Sequence, residues 1–352
     1  MSSPPEWVSA AATNVITRVT RGGLADLRPM PRTLIDKGPN RSVYRFTAFG
    51  RDLGGEPVLL VPPLAAPALC FDLRRGCSLA EHLIDAGRRL YLVDYGTVSF
   101  SDRRLGLEHW IDSVLPRTVN AVSRDAGGAP VHIVAWCLGG IMSLLTQADQ
   151  PALPIASIAT VAAPIDMTAI PLMAPIKPLA DLTNGWILTA AYRLMGGAPR
   201  ALVRRAFQLS AFDKLITKPI AILSHLDDRE FLAQIEAVDR FTDNMIAYPG
   251  RTFGQLYHRF FRANDLAEGE VSLSGRQISL TNVKVPTLVI AGATDAIAPE
   301  PAVRHLLDVL DNAPSVEFAV HPGGHLGVLT GRSARTTTWP TIDTHLATHN
   351  PL

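Results

Sequence analysis

Residues 131–140, Val131-His132-Ile133-Val134-Ala135-Trp136-Cys137-Leu138-Gly139-Gly140, decide how this chain folds. They read as a buried strand, a sharp turn and the start of a helix. A turn of this kind holds its central side chain in a strained conformation and projects it from the C-terminal end of a sheet. Its flanks must be small so that the turn can close and the helix can pack on the strand. Ala135, Gly139 and Gly140 meet that demand. The projecting side chain is the thiol of Cys137, a nucleophile once a base has taken its proton.

Around this turn, apolar β-rich runs alternate with helix-like segments. The runs are Val58–Val61, Arg89–Tyr95, Val131–Trp136, Ile155–Ala162, Pro286–Ala291 and Val316–His321. Their near-continuous hydrophobicity predicts strands covered on both faces, as in a parallel sheet. Ser42–Phe49 alternates more and reads as an antiparallel first strand. Ser78–Ala86 and Leu107–Val122 have helical spacing. The alternation predicts an α/β protein with a mostly parallel, doubly wound sheet. Between about Asp166 and Leu280 the pattern breaks. Proline-punctuated Pro171–Pro178 is followed by helix-like Trp186–Met195, Ala201–Leu209, Phe231–Thr242 and Phe253–Phe261, with few strands. The expected organisation is an N-terminal extension (1–40), a first core part (41–165), a mainly helical cap insertion (166–280) and a second core part (281–352).

Composition sets the outer limits. The 352 residues are 47% hydrophobic, enough for a large core. A net charge of +1 leaves no electrostatic footprint for nucleic acid. The cysteines, Cys70, Cys77 and Cys137, are too few and too odd in number for a disulfide scaffold, and they indicate a reducing compartment. Cys70 and Cys77 have no partners at metal-binding spacing and are expected in packing roles. Met1–Glu6 shows no signal-peptide pattern, and no apolar run is long enough to span a bilayer. The expectation is a soluble cytoplasmic protein.

A cysteine nucleophile needs a base, and the base needs an orienting carboxylate. In α/β-hydrolases the chain order is nucleophile, acid, histidine. Here the run Leu288–Gly292 leads into Asp295, and Val316–Val320 leads into the glycine-rich loop that holds His325. Gly324 and Gly327 are expected to give that loop its latitude. Asp166 after an earlier strand is a rival acid, His321 is a rival base, and capping the next helix is a rival role for Asp295, so these assignments stay open in the sequence. An oxyanion hole needs two backbone N–H groups. One is expected from Leu138. The other must come from the loop after Val61, where Pro62 and Pro63 have no N–H, leaving Leu64 or Ala65. Trp136, beside the nucleophile, is expected to contact substrate.

With these motifs in view, the chain resembles the polyhydroxyalkanoate synthases, especially the short class that works with a second subunit. The resemblance rests on Leu60–Pro63 with Phe71–Leu73, Leu92–Gly96, the cysteine lipase box Ala135–Gly140, Ala162–Asp166, Phe261–Leu266, Asp295–Pro299 and Gly324–Val328. Ala135 departs from the glycine that usually opens the box, and Ala296 from a position that is often polar. The resemblance implies an α/β-hydrolase fold with Cys137 as acyl acceptor, His325 as base and Asp295 as orienting acid. It further implies an acyltransferase that moves a 3-hydroxyacyl group from CoA through a Cys137 thioester to a hydroxyl. CoA is then substrate rather than cofactor, and no metal or other cofactor is expected. The partners expected are acyl-CoA, a hydroxylated acceptor, a second subunit or second copy, and a lipid or polymer inclusion surface. A lipase, esterase or thioesterase acting on long acyl chains is the alternative, because the elbow alone does not separate transfer from hydrolysis. The cap segment Arg200–Phe207 reads either as a lipid or CoA-phosphate contact or as an ordinary amphipathic helix.

Overall fold

The computed structural model describes residues 6–47, 54–171, 190, 194–209 and 212–350. Helix α1 (Glu6–Arg21) comes first. Asn14 donates to the Leu226 carbonyl at 2.8 Å, and Glu236 accepts the N–H groups of Leu24 and Ala25. The N-terminal segment is thus tied to the inserted helices described below. β1 (Arg32–Gly38) and β2 (Arg41–Phe46) then form an antiparallel hairpin that turns at Asn40, where φ is 48°. The sheet therefore begins at Arg32, inside the stretch read from sequence as an extension.

The strands β3 (Pro57–Val61), β4 (Arg89–Asp94), β5 (Val131–Trp136) and β6 (Ile155–Val161) follow. Helix α2 (Leu79–Asp85) starts at Ser78, whose hydroxyl accepts the Glu81 N–H at 3.1 Å, a standard N-cap. The segment expected to be helical from Leu107 is helical, broken by a π-helical turn at Trp110–Val114 between a short α-helical piece (Leu107–His109) and helix α3 (Leu115–Asp125). Pro116 explains the break, because it has no N–H to continue the ladder and suits a helix start. Helix α4 (Leu138–Asp149) follows β5 directly.

Between β6 and the next core strand lies a mainly helical insertion. It contains the short pair β7 (Gly197–Ala198) and β8 (Tyr248–Pro249) around α5 (Arg200–Leu209), α6 (Phe212–Ser224) and α7 (Arg229–Asp243). The Phe253–Phe261 stretch is helical, ending as a π-helix. Where few strands were expected, β9 (Glu270–Leu273) and β10 (Arg276–Ser279) make a hairpin. Its two-residue loop, Ser274-Gly275, has φ of 49° and 80°, the pattern that matches strand twist. Pro171–Pro178 and Trp186–Met195 fall almost wholly outside the described residues.

β11 (Thr287–Gly292) and β12 (Val316–His321) complete the sheet, and α8 (Thr338–Thr348) closes the described chain. The order is β1-β2-β4-β3-β5-β6-β11-β12, parallel from β4 to β12. β3, β5 and β11 are buried along their whole length, as helices on both faces require. No helix among the described residues is long and apolar enough to cross a membrane.

Candidate active site

Parallel strands align their C-terminal ends along one edge, and β5, β11 and β12 bring Cys137, Asp295 and His325 there. Cys137 sits between β5 and α4 with φ 53° and ψ −127°, a conformation that non-glycine residues rarely adopt. Its N–H donates to the Val161 carbonyl at 2.8 Å, and its own carbonyl accepts from Gly140 at 2.9 Å. The strain is held by ties on both sides. The glycines after it are spatial requirements. A Cβ on Gly139 would lie 2.5 Å from the Val61 carbonyl oxygen, and one on Gly140 would lie 3.0 Å from Ala163 Cβ.

The acid and base loops are laced together. Ala293 N–H donates to His321 O at 2.8 Å, and Thr294 N–H to Gly323 O at 3.0 Å. Gly323 is the glycine this loop requires. Its φ is 134°, and a Cβ there would meet Val328 N at 2.6 Å. Gly327 has open space at its Cβ, and neither it nor Gly324 has a positive φ, which corrects the sequence expectation. Asp295 Oδ2 accepts from His325 Nδ1 at 2.8 Å, in a pair with almost no solvent exposure. Asp295 Oδ1 accepts the N–H groups of Ile297 at 2.8 Å and Ala298 at 2.9 Å. One carboxylate therefore both accepts from a backbone turn and pairs with the imidazole.

His325 also lies close enough to Cys137 for the two side chains to interact electrostatically. Burial works against charging His325, but the charges of Cys137 and Asp295 outweigh it and lift the imidazole to about 10. Burial likewise works against the Asp295 charge. His325 and the two backbone N–H groups overcome it and hold the carboxyl below its ordinary range. The Asp295 carboxylate can thus hold a proton on the imidazole.

The rivals lie elsewhere. Asp166 spends its Oδ1 on the Thr168 N–H (2.9 Å), the Thr168 hydroxyl (2.7 Å) and the Asn264 amide (2.9 Å). His321 Nε2 is 3.0 Å from the Thr341 hydroxyl on α8. Trp136 is only 1% exposed, and its indole N–H donates to the His325 carbonyl at 3.0 Å. That corrects the expected substrate contact: too little of the ring is open to touch substrate, and it sits behind the base instead. Cys70 and Cys77 are buried. The Cys77 thiol donates to the Thr330 carbonyl at 3.2 Å, a packing role.

Leu138 is the first residue of α4, and its N–H has no acceptor within the helix. Leu64 is buried in the loop after β3, which reaches α4 at Gly139. The next residue, Ala65, has φ 63°, and its carbonyl accepts the Ile246 N–H at 2.8 Å. Ile246, Tyr248 and Phe241 have no local motif to mark them, and sequence reasoning missed them. Phe241 lies 5.9 Å from Trp136 and 5.7 Å from Phe207 between ring centroids, linking α5 and α7 to the base. Burial raises the Tyr248 phenol, and it lies close enough for the Cys137 charge to add to that. In the Arg200–Phe207 segment, Arg204 pairs with Asp243 at 2.6 Å, and Arg200 bonds the Asp243 carbonyl. Two of its arginines are thus committed within the fold. A cavity of about 440 Å³ lined by Arg41, Arg117 and Arg124 contains none of Cys137, Asp295 and His325.

The profile of the alpha/beta hydrolase fold matches residues 56–331. Among curated proteins, the chain is 26% identical over 291 residues to the poly(3-hydroxyalkanoate) polymerase subunit PhaC of Allochromatium vinosum, covering 81% of this chain and 79% of that one. It is 25% identical to the same-named subunit of Thiocystis violacea, covering 85% and 83%. For that of Haloferax mediterranei the identity is 23%, and the match covers 57% of the relative. Among solved structures, an esterase from Rhodococcus superposes with a TM-score of 0.54 at 15% identity, covering 91% of this chain and all of that one. A putative non-heme bromoperoxidase from Mycobacterium tuberculosis gives 0.51 at 15% identity, covering 84% and 94%. At such identities the likeness concerns the fold alone.

Proposed function

Because this chain belongs to the alpha/beta hydrolase fold family and carries cysteine at its nucleophile elbow, we propose that it is an acyltransferase of the polyhydroxyalkanoate synthase type. The observation that carries the reading is the buried Asp295–His325 pair at the sheet edge that also carries Cys137. The relatives named as polymerase subunits support the choice of transfer over hydrolysis.

In the first half-reaction His325 holds the proton of Cys137 while the sulfur attacks the thioester carbonyl of a 3-hydroxyacyl-CoA. The tetrahedral oxyanion is received by the N–H groups of Leu138 and Leu64. The C–S bond to CoA breaks, and His325 delivers the proton to the departing CoA sulfur. The acyl group is now a thioester on Cys137, so little transfer potential is lost. In the second half-reaction an acceptor hydroxyl gives its proton to His325 and attacks the acyl carbon. Cys137 leaves as thiolate and recovers the proton. Asp295 keeps the imidazole oriented throughout. The buried surroundings of the base disfavour water as acceptor.

An enzyme that extends a water-insoluble polyester works at the surface of its product. The exposed Trp7, Ile16 and Val19 of α1 supply apolar area for such contact. A second subunit or second copy belongs to the same proposal.

The test is a paired assay of wild type and Cys137→Ala on 3-hydroxyacyl-CoA, following free thiol and product mass together. Cys137-dependent CoA release with oligomeric hydroxyacyl product is expected. Release of free hydroxy acid alone would make the protein a thioesterase. Equal activity in the variant would remove Cys137 from the chemistry.

A further inference from the structure

A second cluster of chemically competent side chains stands apart from the triad. His345 lies in the last turn of α8 and His349 is its C-cap residue, one turn on at the i, i+4 spacing. Glu317 reaches them from β12. One ligand atom from each of the three lies within 4.8 Å of the others. Glu317 Oε1 is 3.3 Å from His345 Nδ1 and 3.2 Å from His349 Nε2.

Those separations are informative. A charge-assisted N–H···O bond is shorter, about 2.7–2.9 Å. Tetrahedral Zn²⁺ with bonds of about 2.0–2.1 Å holds its ligand atoms about 3.4 Å apart. The cluster thus has the spacing of a ligand set rather than that of tight ion pairs. The donor types agree, since two imidazoles and one carboxylate are a ligand set for zinc-like ions. The site is also partly preorganised: the His345 side chain is fully buried, and those of His349 and Glu317 are 18% and 45% exposed. An entry path from solvent therefore exists on the Glu317 side. The last carbonyls of α8 add the negative end of a helix dipole, which favours a cation there.

We propose that Glu317, His345 and His349 bind a divalent transition-metal ion of the Zn²⁺ type, with solvent completing the coordination. Its role is structural. β12 is the edge strand of the sheet and runs directly into the loop that carries His325. A metal bridging β12 to α8 ties the edge strand to a helix that packs on the neighbouring strands β11 and β6. The site shares no residue with the acyl-transfer chemistry and does not depend on it.

The experiment uses the full chain without a polyhistidine tag. Zn²⁺ is titrated against a chromophoric chelator, and Co²⁺ binding is followed by visible absorption. The expected result is one equivalent per chain, with tetrahedral cobalt bands and no thiolate charge-transfer band. Zn²⁺ should also raise Tm. His349→Ala and Glu317→Gln, at partly exposed positions, should each weaken binding by more than the roughly 10–100-fold seen on losing an outer-shell partner, and should abolish the Tm rise. His345→Ala is left aside because the buried ring contributes to packing. No stoichiometric binding by wild type would overturn the proposal. So would wild-type affinity in both variants, or a thiolate band that disappears in Cys137→Ala.

Discussion

The indole N–H of Trp136 donates to the backbone carbonyl of His325 at 3.0 Å, and the two rings lie 5.0 Å apart. The residue before the nucleophile therefore fixes the loop of the base, across 189 positions of sequence. Trp136→Phe keeps most of the ring and removes only the donor, leaving a buried carbonyl unpaired. A stability loss of about 1–3 kcal/mol is expected in urea unfolding. kcat should fall more than KM rises, because the base is displaced while substrate contacts are kept.

Asp295 holds the imidazole with one oxygen and a backbone turn with the other. Asparagine can keep the turn, since its Oδ1 still accepts from Ile297 and Ala298, but it cannot hold the His325 N–H as a carboxylate does. Asp295→Asn is expected to lose less stability than Asp295→Ala, because the turn is kept, and to lose roughly 10⁴-fold in kcat, as acid-to-amide changes do in such triads. Asp295→Ala loses both functions and should also unfold earlier. Comparing kcat and Tm in the two variants separates orientation from capping.

The pH dependence of stability follows from His325. Its pKa is raised in the fold to about 10, against about 6.5 in an unfolded chain. A raised pKa stabilises fully below the unfolded value and loses that contribution as pH rises through the folded one. The stability of wild type relative to His325→Gln should therefore be greatest below about pH 6.5 and decline towards pH 10. Asp295, lowered in the fold, acts at the other end: its contribution is present above about pH 3.9 and is lost as pH falls below that. Urea midpoints across this range test both signs.

Glycine substitutions distinguish required from permissive positions. Gly139→Ala drives a methyl into the carbonyls of Val61 and Pro62 and pushes α4 away from the loop of Leu64. A cost of about 1–3 kcal/mol is expected, with a kcat loss on the order of 10²-fold from the displaced oxyanion donors. Gly323→Ala should be similarly damaging, since both its φ and its space exclude a side chain. Gly327→Ala, with open space at its Cβ, should leave stability and activity close to wild type. Thermal melts and initial rates check the three together.

Short-range chemistry explains what could be read in advance. The elbow was legible because a strand, a thiol and two small residues must be contiguous for the turn to close. The core strands were legible because burial on both faces leaves only apolar residues. The hairpin at β9–β10 carried its signal in Ser274-Gly275 but lay in a stretch whose helical spacing was more conspicuous. Asp166 and Asp295 could not be separated, because both follow a core strand. Neither could His321 and His325, which lie four residues apart at the end of β12 and in the loop after it.

What the sequence by itself determined was the order of the core strands and of Cys137, Asp295 and His325 after them, because each of these is encoded in a few adjacent residues. Only the tertiary structure decided that Asp295 pairs with His325 while Asp166 turns to Asn264, that Trp136 supports the base, that Gly323 is the obligatory glycine, and that Glu317 meets His345 and His349. The physical reason is that parallel pairing aligns strand ends from distant parts of the chain. Which side chains then meet depends on register, loop conformation and the helices packed above, and no local pattern of residues carries that information.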